Sequence, residues 1–147
     1  MANVLYSLLN PVVKTILQSP VHGLMSSNTL IIQYTGRKSG KPYSLPVSYA
    51  RGGDQLSCFT ARTNAWWKNL KDKRPVTLVL QGKRVNATAE IEAQNDEAIA
   101  DALAPFLMAV PRDAGPANVR LDSDRSPNLD DVAVAAKRLA HITFHIA

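Results

Sequence analysis

The chain has 147 residues, enough for one domain with a sizeable buried core and short for two. Hydrophobic residues make up 46% and charged residues 20%, which excludes a disordered polyelectrolyte; no apolar run reaches about 18 residues, which excludes a conventional spanning helix. The single cysteine, Cys58, excludes an intramolecular disulfide, and the N-terminus lacks the basic and small-residue pattern of a secretory signal, so the expected location is cytoplasmic.

Net charge is +5 but unevenly spread. Residues 37–84 hold eleven of the seventeen basic side chains against two acids, Asp54 and Asp72, a balance of +9; residues 85–147 hold five basic and ten acidic, a balance of −5. A basic segment of that density suits an anionic partner such as a phosphate or carboxylate, or simply a solvated face.

In chain order, Val4, Leu5, Leu8, Leu9, Val12, Val13, Ile16 and Leu17 fall on one stripe at helical spacing, predicting an N-terminal helix bent at Pro11. Its polar face carries only Lys14, so packing on the rest of the domain is favoured over more than weak membrane contact. Thr29–Thr35 reads as a buried strand. After the turn Gly36–Pro42, Tyr43, Leu45, Val47 and Tyr49 alternate as a second strand, which Pro46 places at an edge or bulge. Arg51-Gly52-Gly53-Asp54 signals a hairpin into a third strand, Gln55–Thr60. Asn64 is the expected N-cap of a short helix over 65–72.

Val76–Gln81 and the alternating run Val85–Glu92 predict two more strands joined at Gly82. A helix after Asn95 would bury Ala98, Ile99, Ala102, Leu103 and Phe106 and break at Pro105. Residues 111–127 read as a polar loop, Asn128 as the cap of a last helix ending in Lys137 and Arg138, and Ile142, Phe144 and Ile146 as a closing strand with His141 and His145 exposed on its other face. Strands in short hairpins with attached helices predict a single α+β domain over residues 1–147 built on a small antiparallel barrel.

Two segments carry candidate chemistry. In Thr35-Gly36-Arg37-Lys38-Ser39-Gly40-Lys41-Pro42 the glycines allow a tight turn and close approach, while Arg37, Lys38, Ser39 and Lys41 supply donors for an anion. It is not a Walker A loop, because three residues separate Gly36 from Gly40 and Pro42 follows Lys41. In the second segment, Arg62 and Thr63 precede a helix start carrying Trp66 and Trp67, of which one can pack in the core while the other walls a cleft. No histidine, cysteine or carboxylate set has metal-ligand spacing, and no nucleophile stands beside a base.

Taken in order, the basic turn, Leu45-Pro46-Val47, the Gly52-Gly53-Asp54 hairpin, Trp67-Lys68-Asn69-Leu70 and Pro75-Val76-Thr77-Leu78 resemble the deazaflavin-dependent nitroreductase-like oxidoreductases of the flavin-binding split-barrel superfamily. The resemblance covers about residues 28–92 and implies a split barrel of six or seven antiparallel strands with an N-terminal helix and two or three packed helices. It implies coenzyme F420 as hydride donor to a small conjugated acceptor such as a quinone. Arg37, Lys38, Ser39, Gly40 and Lys41 would take its anionic tail, Pro46 and Val47 would line its ring, and Trp67 and Asn69 would lie on the helix beyond, with Arg62 and Thr63 added from their position. No tyrosine follows Tyr49, so the C-terminal aromatic cluster associated with nitroimidazole reduction is missing and that activity is not implied.

The residues leave other occupants open. The same turn suits FMN or a haem propionate, and the same groove suits a fatty acid in a non-catalytic carrier. A nucleic-acid partner is disfavoured, since no strand shows paired exposed aromatics. Either a monomer or a homodimer is compatible with the sequence.

Overall fold

The structure, a computed structural model, describes residues 28–147. The amphipathic N-terminal segment therefore lies outside the described residues. Seven strands form one antiparallel sheet: β1 Thr29–Thr35, β2 Pro42–Ser48, β3 Ala50–Gly52, β4 Gln55–Ala61, β5 Val76–Leu80, β6 Lys83–Glu92 and β7 Leu139–Ile146. Two helices, α1 Asp96–Ala109 and α2 Leu129–Ala136, fall between β6 and β7, and Trp66–Leu70 is a short 3-10 helix after β4.

The ladder order β2-β1-β5-β6-β7-β4-β3 makes β2 and β3 the two edges of the sheet. These edges are consecutive in the chain, joined through the buried Tyr49, so one bent strand pairs with β1 before the bend and with β4 after it. The sheet thereby curls on itself as a split barrel. Its seam lies where β2 comes against β4 without a ladder between them. Pro46 sits in β2 opposite Ile31; β2 pairs on one side only, where a missing N–H costs the sheet nothing.

Period-two patterning fills the barrel. Leu30 and Ile32, Leu56 and Cys58, Leu78 and Leu80, Ala87 and Ala89, and Ile142 and Phe144 share one buried cluster with Trp66, Trp67 and Leu70. Each large side chain there contributes roughly 1.5–3 kcal/mol by leaving water. A second cluster packs Leu103, Phe106 and Leu107 of α1 and Val132 and Ala135 of α2 against Phe59 and Leu139 on the sheet's outer face.

Several expectations need correcting. Asn64 does not cap the Trp helix: its Nδ2 donates to Thr60 Oγ1 at 2.9 Å, and Ala65 occupies the N-cap with no side-chain bond. Pro105 does not interrupt α1; it and Asp101, whose carbonyl loses its usual partner, are both exposed, where that carbonyl is open to solvent rather than buried without a partner. Ala98 is exposed rather than inward. His141 is half-buried, stacked on Phe59 with ring centroids 4.6 Å apart, its Nε2 2.6 Å from Ser57 Oγ, because β7 runs between β4 and β6 and α1 packs over that face. Lys137 is the C-cap of α2 rather than part of its last turn, while Asn128 caps the start as expected, accepting from the Asp131 N–H.

Candidate functional site: a basic turn and the barrel seam

The β1–β2 connection is closed by Gly36 N–H donating to Lys41 O at 2.8 Å and Gly40 N–H donating to Gly36 O at 2.9 Å. Gly40 has φ +68°, and a Cβ on Gly36 would meet Ser39 Oγ at 2.6 Å and the Tyr43 ring at 2.9 Å, so both glycines are required by the turn itself. Lys41 N–H donates to Ser39 Oγ, which is also 3.3 Å from the Tyr43 hydroxyl. Arg37 N–H donates to Asn69 Oδ1 at 2.9 Å, and Asn69 in turn donates from Nδ2 to Trp66 O. These bonds leave the backbone N–H groups of Lys38 and Ser39 without a partner among the described residues at the exposed tip, flanked by the side chains of Arg37, Lys38 and Lys41. Two open donors between three cations could hold a phosphate or carboxylate.

From the turn a row of rings runs inward. Tyr43 stacks on Tyr34 at 5.5 Å, and Tyr34 lies 6.4 Å from Trp66. Burial, and then the neighbouring Tyr43, push the Tyr34 phenol up to about 12, so it stays a neutral donor. Trp66 then forms one wall of a cavity of about 240 Å3 at the seam, with Leu45 and Val47 from β2, Phe59 and Thr60 from β4, and α1 as the outer wall. The polar groups facing this cavity are Ser48, Thr60 and Asp113. Thr60 Oγ1 accepts from both Asn64 Nδ2 and Trp66 Nε1, at 2.9 and 3.2 Å.

The structure therefore joins Arg37, Lys38, Ser39, Gly40 and Lys41 to Asn69, and Val47 to Trp66, with Pro46 between them on β2. It does not bring Arg62 and Trp67 to that place. Both line a broader cleft of about 690 Å3 beside Lys68, Lys71 and the end of β6. Trp67 donates from Nε1 to Arg62 O, and Lys68 and Lys71 lie over its ring at 5.8 and 5.4 Å. Arg62 is committed to the fold: Nε donates to Leu139 O at 2.8 Å, and Nη2 to Ala136 O at 2.8 Å and Asp96 Oδ1 at 2.6 Å. Thr63 is exposed in the turn between them. Sequence reasoning missed Tyr34, Tyr43, Thr60 and Asp113; the alternation along β1 and β2 already put Tyr34 and Tyr43 near the turn, but nothing local placed Asp113 against Ser48.

The architecture is an antiparallel split barrel with a cationic turn and an aromatic-walled seam, and solved structures share that fold. The chain resembles an F420-H2 dependent reductase (16% identity, TM-score 0.52, covering 81% of this chain and 95% of that one) and a FAD-binding protein from Mesorhizobium loti (12% identity, TM-score 0.53, covering 93% and 88%). No curated protein matches the sequence. Residues 13–109 match the family described as F420H(2)-dependent quinone reductase, and the chain belongs to that family. It is an F420-dependent reductase, and its coenzyme is F420. The residues present fit such a group: the open N–H donors and cations of the turn suit an anionic tail, and the Val47–Trp66 wall suits a flat ring. Among the described residues no group of three metal-ligating side chains comes together, and no helix is long and apolar enough to cross a membrane.

Proposed function

We propose that the protein reduces a small conjugated acceptor of the quinone type. The turn from Arg37 to Lys41 grips the anionic tail of F420, and the seam beside Val47 and Trp66 holds its ring. When bound, the reduced coenzyme supplies the two electrons and, in net terms, both hydrogens that convert a quinone to a hydroquinone. The protein binds, orients and dries. Arg37, Lys38 and Lys41 hold negative charge at the rim, Asn69 fixes the turn against the Trp helix, and the apolar cavity walls exclude water from the reacting face.

The observation that carries this reading is the continuity from turn to cavity: Ser39, Tyr43, Tyr34 and Trp66 are successive neighbours from the cationic tip to the seam. Mixing the protein with reduced F420 and 1,4-naphthoquinone tests it. The oxidised coenzyme's visible absorbance should return only with enzyme and quinone both present. Equal turnover with NADH in place of the deazaflavin would count against the reading.

A further inference from the structure

We infer that Asp113 sets the charge of the acceptor: the far end of the seam cavity takes a neutral conjugated ring and rejects one bearing an anionic substituent. The inference rests on the reductase reading and concerns the acceptor, not the coenzyme.

Among the described side chains that line the cavity, Asp113 is the one charged group. It ends the short 3-10 turn Pro111–Asp113, whose N–H bonds back to Val110 O at 3.1 Å, and its Oδ1 accepts from Ser48 Oγ at 3.2 Å. The carboxylate is thus pinned on both its backbone and its side chain. Arg112 Nε forms a long ion pair with Asp113 Oδ1 at 3.8 Å, and its Nη2 donates to Asn28 O, Thr29 Oγ1 and, at 3.4 Å, Ser48 Oγ; Arg112 flanks the pair from outside and does not line the cavity, so Asp113 is the charge an occupant meets. The Asp113 side chain keeps 29% of its surface open. An anion brought against it inside apolar walls meets repulsion that water screens poorly.

Position separates acceptor from coenzyme. Ser48 ends β2 and Pro42, beside the basic turn, begins it, so the Asp113 end lies roughly 20 Å along the strand from the anion receptor. A coenzyme tethered by its tail at the turn enters the seam from the Tyr43 end. The acceptor meets the Asp113 end. The molecule thereby sorts its two ligands by charge, with the cationic rim for the anionic coenzyme and the acidic end for an uncharged ring.

The test is calorimetric titration of the full chain, saturated with oxidised F420, with 1,4-naphthoquinone and with 1,4-naphthoquinone-2-sulfonate. The neutral quinone should bind about tenfold or more tightly than the sulfonate. Asp113→Asn, which keeps the shape and the acceptor for Ser48, should bring the ratio to within about threefold by strengthening the sulfonate, and Asp113→Glu should preserve it. Should the Asn variant fold poorly, the wild type must still bind the neutral 2-sulfonamide of 1,4-naphthoquinone more tightly than the 2-sulfonate of nearly the same size. Equal affinities of quinone and sulfonate in the wild type, a ratio untouched by Asp113→Asn, equal affinities of sulfonamide and sulfonate, or loss of quinone binding once F420 is present would each overturn the inference. Any of these results leaves coenzyme binding at the turn to be judged separately.

Discussion

The backbone N–H of Arg37 donates to Oδ1 of Asn69 at 2.9 Å across thirty-two residues of chain, tying the cationic turn to the helix that carries both tryptophans. Without that bond the turn would keep only its internal bonds, Gly36 N–H to Lys41 O, Gly40 N–H to Gly36 O and Lys41 N–H to Ser39 Oγ. With it, the open N–H groups of Lys38 and Ser39 are held in one orientation. Asn69→Ala should weaken F420 binding about fivefold, near 1 kcal/mol, with little change in melting temperature. Titration of tryptophan fluorescence with coenzyme, beside a thermal melt, separates the two effects.

Gly36 faces a steric limit rather than an electrostatic one. A methyl group there meets Ser39 Oγ and the Tyr43 ring inside contact distance, so Gly36→Ala must move the receptor or the first ring of the row. We expect F420 affinity to fall at least tenfold while the far-ultraviolet circular dichroism stays that of the wild type.

Arg62 serves stability. Its guanidinium links the end of β4 to the start of α1, the end of α2 and the start of β7. The pair with Asp96 is partly exposed, 26% and 46% for the two side chains, and contributes little by itself, whereas the two carbonyl bonds from a charged donor matter more. Arg62→Ala should cost about 2 kcal/mol and lower the melting temperature by roughly 4–8 °C, measured by calorimetry.

His141 predicts a pH dependence. Burial holds its pKa below the ordinary 6.5, with Glu90 and Glu92 opposing that shift. Between the lowered folded value and 6.5 the unfolded chain binds more protons than the folded one, so this stability is fully present above pH 6.5 and is lost as pH falls through the folded value. Denaturation midpoints measured below pH 6.5 should drop, and His141→Phe should flatten that slope.

Much of the fold is legible from alternation alone, since Leu30, Leu56, Ala87 and Phe144 all sit where period two puts them inside the barrel. The turn is legible too, because its glycines and charges are contiguous. What local sequence cannot show is what distant segments do with each other's polar groups. Asn64 looks like a cap until Thr60 claims its amide, and Arg62 looks like an anion ligand until three elements converge on its guanidinium. Pro105 looks like a breaker until exposure leaves the unpartnered carbonyl open to solvent. Asp113 joins the seam only because the chain after α1 folds back onto the end of β2.

The most direct measurement is a paired equilibrium titration of the wild-type protein, Arg37→Ala and Lys38→Ala with F420 and with FMN. The wild type should bind F420 and discriminate against FMN, and each variant should lose about 1.5–3 kcal/mol, ten- to a hundredfold, in F420 affinity. F420 affinity unchanged in both variants would contradict the assignment of the turn as the coenzyme's anchor.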